Sequence, residues 1–192
     1  CRIGLWQICL GLIRLKSGMP DLTSEYYDKE YFDGGKGYHT YEYSGQYDTW
    51  ADTIIRLFDP ANVLEIGCAK GFLVKALRDR GVPAFGIDIS DYALSKADES
   101  VEDYLYQHDV TSGKKLGLPK YDLIVSFDTF EHIPKDKLGT VKEFMKLHGD
   151  RYYVRVGTLQ TPDWQHDASH ITMHRLEWWQ EWWDQVFWEE SK

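Results

Sequence analysis

The stretch that decides the fold reads Val63-Leu64-Glu65-Ile66-Gly67-Cys68-Ala69-Lys70-Gly71-Phe72. A short run from Asn62 to Ile66 stops at a glycine, small residues recur at 69 and 71, and a helical pattern then continues through Arg80. Glycine at such a junction lets the backbone turn sharply and approach a ligand at the carboxyl edge of a buried strand. A dinucleotide-binding loop would read G-x-G-x-x-G, and a phosphate-binding loop G-x-x-x-x-G-K-S/T. Here the order is Glu65-x-Gly67-x-Ala69-x-Gly71, which fits neither and argues against NAD and ATP.

The alternation continues downstream. Ala84 to Ile87, Tyr104 to Gln107, Tyr121 to Phe127 (YDLIVSF) and Tyr152 to Val156 read as strands. Asp91 to about Val101 and Asp136 to Leu147 read as helices. This order predicts an α/β protein: a Rossmann-like, doubly wound, mostly parallel sheet with helices on both faces. Its crossovers should be right-handed. After Thr158 comes a loop, then a helix from about His174 to Gln185 carrying Trp178, Trp179, Trp182 and Trp183 on one side. Such a stripe is either core and interface or a substrate platform. Val186 to Glu189 could add a sixth strand.

Upstream, residues 21–50 hold Tyr26, Tyr27, Tyr31, Phe32, Tyr38, Tyr41, Tyr43, Tyr47 and Trp50, broken by Gly34, Gly35 and Gly37. We read two short helical pieces around a flexible loop, too small to fold alone. Ile3 to Ile13 is apolar, and Leu5, Ile8, Cys9 and Leu12 follow helical spacing. Crossing a bilayer takes about 20 apolar residues, so this run reads as a packed helix, or as a leader ahead of Met19. The expected organisation is an apolar helix or leader over 1–20, an aromatic cap over 21–50, and one globular domain over 51–192.

Composition narrows the function. The 192 residues carry 22 Lys+Arg against 31 Asp+Glu, a formal charge of −9 that makes general nucleic-acid binding unfavourable. Cys1, Cys9 and Cys68 form neither a disulfide framework nor a zinc motif, which suits a reducing, cytoplasmic setting. Four polar clusters follow four consecutive strands: the Glu65–Gly71 loop; Asp88 in Gly86-Ile87-Asp88-Ile89-Ser90; His108-Asp109-Val110; and Phe127-Asp128-Thr129-Phe130-Glu131-His132-Ile133-Pro134. In a parallel sheet all four converge on one crevice. A carboxylate at position 88 suits the hydroxyls of a ribose.

VLEIGCAKG, GIDIS, HDV and YDLIVSFDTFEHIP together resemble motifs I to IV of the class I S-adenosylmethionine (SAM)-dependent methyltransferases, of the broad type 11, small-molecule kind, over about residues 45–190. The resemblance implies methyl transfer to a small-molecule or sugar-containing acceptor. It implies that Glu65, Gly67, Cys68, Ala69 and Gly71 form the loop beside the methionine moiety. Asp88 would take the ribose hydroxyls, and Ile89 would pack on adenine. Asp109 and Val110 would meet the adenine amino group and ring, while Phe127 and Asp128 border the reacting methyl. Two departures stand out. Ala69 replaces a customary glycine, a change that an ordinary backbone conformation should absorb. The chain also stops near the sixth strand, short of the family's antiparallel seventh, as a truncated sheet would.

Histidine titrates near neutrality and suits a general base. His132, after the fourth strand, and His170, in Asp167-Ala168-Ser169-His170, are the candidate base or acceptor contacts. His166, His170 and His174 are spaced by four with Asp163 and Asp167 nearby, but Pro162 and the turn-like residues around them argue against a helical metal site. Two rivals remain: an NAD(P)-dependent oxidoreductase on the same fold, and a SAM-binding or empty scaffold acting through its Trp-rich helix. The apolar N-terminus and that helix also make a homodimer possible.

Overall fold

The computed structural model describes residues 22–38, 40–117, 119–161 and 167–191. The expectations for residues 1–20, and for Asp163 and His166, lie outside the described residues.

Strand β1 (Val63–Ile66) is buried on both faces, as its Val-Leu-Glu-Ile content demands of a central parallel strand. It pairs in parallel with β2 (Ala84–Asp88) on one side and β4 (Tyr121–Phe127) on the other. With β3 (Leu105–Gln107), β5 (Gly149–Val156) and β6 (Phe187–Glu190), the six-stranded sheet runs β3-β2-β1-β4-β5-β6, and every pairing is parallel. The order reverses between β1 and β4, so a crevice opens at their carboxyl ends.

Alternation along the strands feeds two cores. Val63, Leu123 and Val125 face Ala51, Ile54, Leu73 and Leu77 of helices α2 (Gly45–Phe58) and α3 (Phe72–Asp79). Leu64, Ile66 and Ile124 face the other way, toward Val141, Phe144 and Met145 of α5 (Leu138–His148) and Trp179 of α6 (Leu176–Trp182). No helix among the described residues is long and apolar enough to cross a membrane.

Several boundaries differ from the sequence expectation. Helix α4 covers only Asp91–Leu94, because the Asp98 carboxylate takes the Ser100 amide (2.9 Å) and hydroxyl (2.6 Å), a local bond that competes with the helix. Strand β5 starts at Gly149, whose polar opening Gly-Asp-Arg hides a register set by Tyr121 opposite. A short helix α1 (Lys29–Asp33) precedes α2, and α2 itself runs through the boundary drawn between residues 50 and 51.

Helix α6 ends at Trp182, before the expected Gln185. Trp183 is extended and drops into the core against Tyr152 (4.6 Å between rings), while its carbonyl accepts from Trp188 Nε1 (2.9 Å). Trp179 is 0% exposed and meets Phe130 edge-on. The tryptophans are therefore core, with Trp178 and Trp182 stacked at its margin. Trp179→Ala should cost about 3–5 kcal/mol in denaturant unfolding, as expected for an aromatic deleted from a packed core, and Trp178→Ala less than half as much.

Candidate functional site

The turn after β1 is built on positive φ angles at Gly67 (77°), Ala69 (48°) and Gly71 (75°). A Cβ on Gly67 would lie 2.1 Å from Thr129 Oγ1, so this position admits only glycine without moving the loop after β4. Ala69 does not sit in an ordinary backbone conformation, as the sequence suggested. It occupies the left-handed region, which costs a residue with a Cβ about 1–2 kcal/mol. What holds it there is Asp88: Oδ2 accepts from the Ala69 amide (2.8 Å) and Oδ1 from the Ser90 amide (2.8 Å). Burial raises the Asp88 pKa, and those amides oppose the shift.

A cavity of about 970 Å³ opens above these strand ends. Of the residues singled out in the sequence, Glu65, Gly67, Ala69, Asp88, Ile89, Asp109, Val110, Phe127, Asp128 and His132 line it. Cys68 and Gly71 do not. The Cys68 thiol is buried against Gly86, and Gly71 caps the N-terminus of α3, so both shape the loop rather than the cavity wall. Asp109 Oδ1 is held by the Thr111 amide and hydroxyl (2.8 and 2.7 Å), which orients the carboxylate at the end of β3. Glu65 has an Oε2 with no hydrogen-bond partner, and burial beside Asp88 pushes its pKa up to about 8.

The cap closes the cavity from the other side. Tyr27, Tyr31, Phe32, Tyr38, Tyr41, Tyr47 and Trp50 all line it. Asp33 anchors this segment: it accepts Lys70 Nζ at 2.9 and 3.0 Å and the Tyr92 hydroxyl at 2.8 Å. The Lys70 ammonium lowers the Asp33 pKa and also donates to the Tyr41 carbonyl (2.9 Å). Ser90 Oγ adds a 2.5 Å bond to the Tyr27 carbonyl. The cap is thus tied to the same loops that form the cavity floor.

His132 and His170 come together, with ring centroids 4.7 Å apart, although only His132 lines the cavity. His132 Nδ1 lies 2.8 Å from Ser169 Oγ. Burial and the neighbouring His170 push the His132 pKa down to about 4, with Asp167 acting in the opposite direction. His174 instead stacks on Trp178, in the irregular segment before α6. Glu131, His132 and His170 bring one donor atom each within 4.8 Å of one another. The Glu131 carboxyl accepts from the Gly157 amide (2.7 Å) through Oε1, while its buried Oε2 has no hydrogen-bond partner, and burial raises its pKa.

Sequence reasoning overlooked three participants. Arg155, a buried charge inside the YYVRVG strand, lines the cavity, reaches Asp128 (3.2 Å) and lies 4.5 Å from the Trp50 ring centroid. A charge in an otherwise apolar run was its only signal. The Asp33–Lys70 pair and the Ser169 hydroxyl carried none, because their partners are distant in sequence.

Comparison with known proteins agrees with this geometry. The family described as "Methyltransferase domain" matches residues 41–190. A ubiquinone biosynthesis O-methyltransferase of Nitrosomonas europaea is 30% identical over 115 residues, 57% of this chain and 48% of that protein. Its counterpart in Leptothrix cholodnii is 27% identical over 94 residues, 44% and 39% of the two chains. The chain therefore spans less than half the length of these curated relatives. A crystal structure of a Pyrococcus horikoshii OT3 protein shares the fold, with a TM-score of 0.50 and 21% identity over 66% of this chain and 61% of that one. With its glycine turn, its carboxylates at successive strand ends and this match along most of its length, the chain belongs to the methyltransferase-domain family.

Proposed function

We propose that this protein is a SAM-dependent methyltransferase acting on a small-molecule or sugar-containing acceptor, in a cytoplasmic setting compatible with its buried, unpaired Cys68. The observation that carries the proposal is the convergence of Gly67, Asp88, Asp109 and Asp128, from the ends of four different strands, on one cavity. The residues present fit the cofactor. Asp88 retains lone pairs beyond its two amide bonds for ribose hydroxyls, and Ile89 and Val110 offer apolar walls for a purine. Glu65, with its orphaned oxygen, offers a carboxylate to an ammonium. The bound cofactor supplies an electrophilic methyl on a sulfonium. The protein's own task is to align a nucleophile with it and exclude water. The cap tyrosines and Trp50 supply the closed aromatic wall on the acceptor side, and Arg155 and Asp128 set the polarity near the end of β4.

Calorimetric titration of SAM and of its demethylated product tests the proposal. Micromolar binding is expected. Asp88→Ala should weaken it at least about tenfold, since one charge-assisted bond is worth about 1.5–3 kcal/mol. Asp88→Asn, which keeps one acceptor oxygen but turns an NH2 toward the other backbone amide, should weaken binding through the loop as well as the ribose contact. No binding by folded wild-type protein would overturn the assignment.

A second outcome follows from Glu65. With a pKa of about 8, its carboxyl is mostly protonated at pH 7, and an approaching ammonium favours ionisation. Binding at pH 7 should therefore release protons, and affinity should rise toward pH 8. Titrations in two buffers of different ionisation enthalpy measure the release. Glu65→Gln should abolish it.

A further inference from the structure

We propose that Ser169 and Asp167 form a relay that fixes His132 as its Nδ1–H tautomer, leaving Nε2 as the proton acceptor turned toward the acceptor's nucleophilic O–H or N–H. This inference rests on the methyltransferase reading for its purpose, but not for its geometry. It follows from counting protons. Asp167 Oδ1 lies 2.5 Å from Ser169 Oγ and 2.8 Å from the Ser169 amide, and Oδ2 accepts from the Tyr31 hydroxyl at 2.9 Å. These donors, with His132 nearby, keep the Asp167 pKa low against its burial, so the carboxylate is ionised and can only accept. The single hydroxyl proton of Ser169 therefore points to Asp167. Its oxygen then faces His132 Nδ1 at 2.8 Å with lone pairs alone, so the proton in that bond must come from the imidazole.

The competing tautomer would set the Nδ1 lone pair against a serine oxygen with no proton to share. The groups around the imidazole are His170, the Glu131 carboxyl, Asp167, Tyr27 edge-on at 6.1 Å, and the carbonyls of Asp128 and Ser169. Of the two ring nitrogens, Nδ1 is committed to Ser169, and the relay assigns Nε2 to the cavity that His132 lines.

In the step this serves, a lone pair of the acceptor heteroatom forms the bond to the methyl carbon, and the carbon–sulfur pair leaves on sulfur. The heteroatom's proton passes to Nε2, its bonding pair staying on the heteroatom. A weakly basic imidazole suffices, because that proton becomes strongly acidic as the new bond forms. Ser169, Asp167 and Tyr31 are positioning residues. Tyr31 makes the relay depend on the cap, since its hydroxyl reaches Asp167 across 136 residues of sequence.

The test is long-range proton–nitrogen NMR on histidine-labelled protein at pH 7, with His132→Gln assigning the resonances. Expected is a protonated Nδ1 and a bare Nε2 on His132. Ser169→Ala and Asp167→Asn should each lose that signature, and Ser169→Thr, which keeps the hydroxyl, should restore it. SAM affinity should change less than twofold in all three. A protonated Nε2 in the wild type, or a tautomer indifferent to both Ser169→Ala and Asp167→Asn, would overturn the relay. Failure of the wild type to bind SAM would instead remove the methyltransferase reading and leave the tautomer result standing.

Discussion

The site hangs on the Asp88 carboxylate, lodged between the amides of Ala69 and Ser90. One oxygen holds the turn after β1 and the other holds the turn after β2, so one carboxylate ties the two loops together. The turn after β1 has three positive φ angles, and alanine at one of them would relax elsewhere if unsupported. A buried carboxylate is costly unless hydrogen-bonded, and here its partners are the amides whose placement shapes the cavity floor. Stability and site geometry share one contact.

A second electrostatic clasp closes the other side. Asp33, at the end of a five-residue helix too short to be stable alone, gathers Lys70, Tyr92 and the Tyr41 amide. Lys70 belongs to the turn after β1, so the cap is fastened to the loop that Asp88 stabilises. The aromatic rings fill the space between, through edge-to-face contacts such as Tyr27 with Tyr31 and Trp50 with Phe127. Tyr31 then extends the connection to Asp167, bringing the loop after β5 under the same roof.

Local pattern made much of this legible. Tyr121–Phe127 was readable because Tyr, Leu, Ile, Val and Phe dominate a short run that is buried on both faces and leave no competing period. The polar residues after each strand were readable because parallel strands place all their carboxyl ends on one edge. Ala69 was misjudged because one residue's φ is set by what its amide bonds to, and Asp88 lies in another strand. The end of α6 was misplaced for a similar reason: Trp183 continues the helical spacing in sequence, but the core holds it extended against Tyr152. The tryptophan stripe permitted core or platform, and only packing decided for core.

What the sequence by itself determined is the alternation of strand and helix, the glycine turn and the set of carboxylates at strand ends. All of these are fixed by short-range stereochemistry and side-chain period. What only the tertiary structure decided is which distant side chains meet: Asp33 with Lys70, Arg155 with Asp128 and Trp50, and Asp167 and Ser169 with His132. These contacts depend on strand order and on how the cap settles over the sheet. No local pattern encodes them, because each partner lies tens of residues from the other.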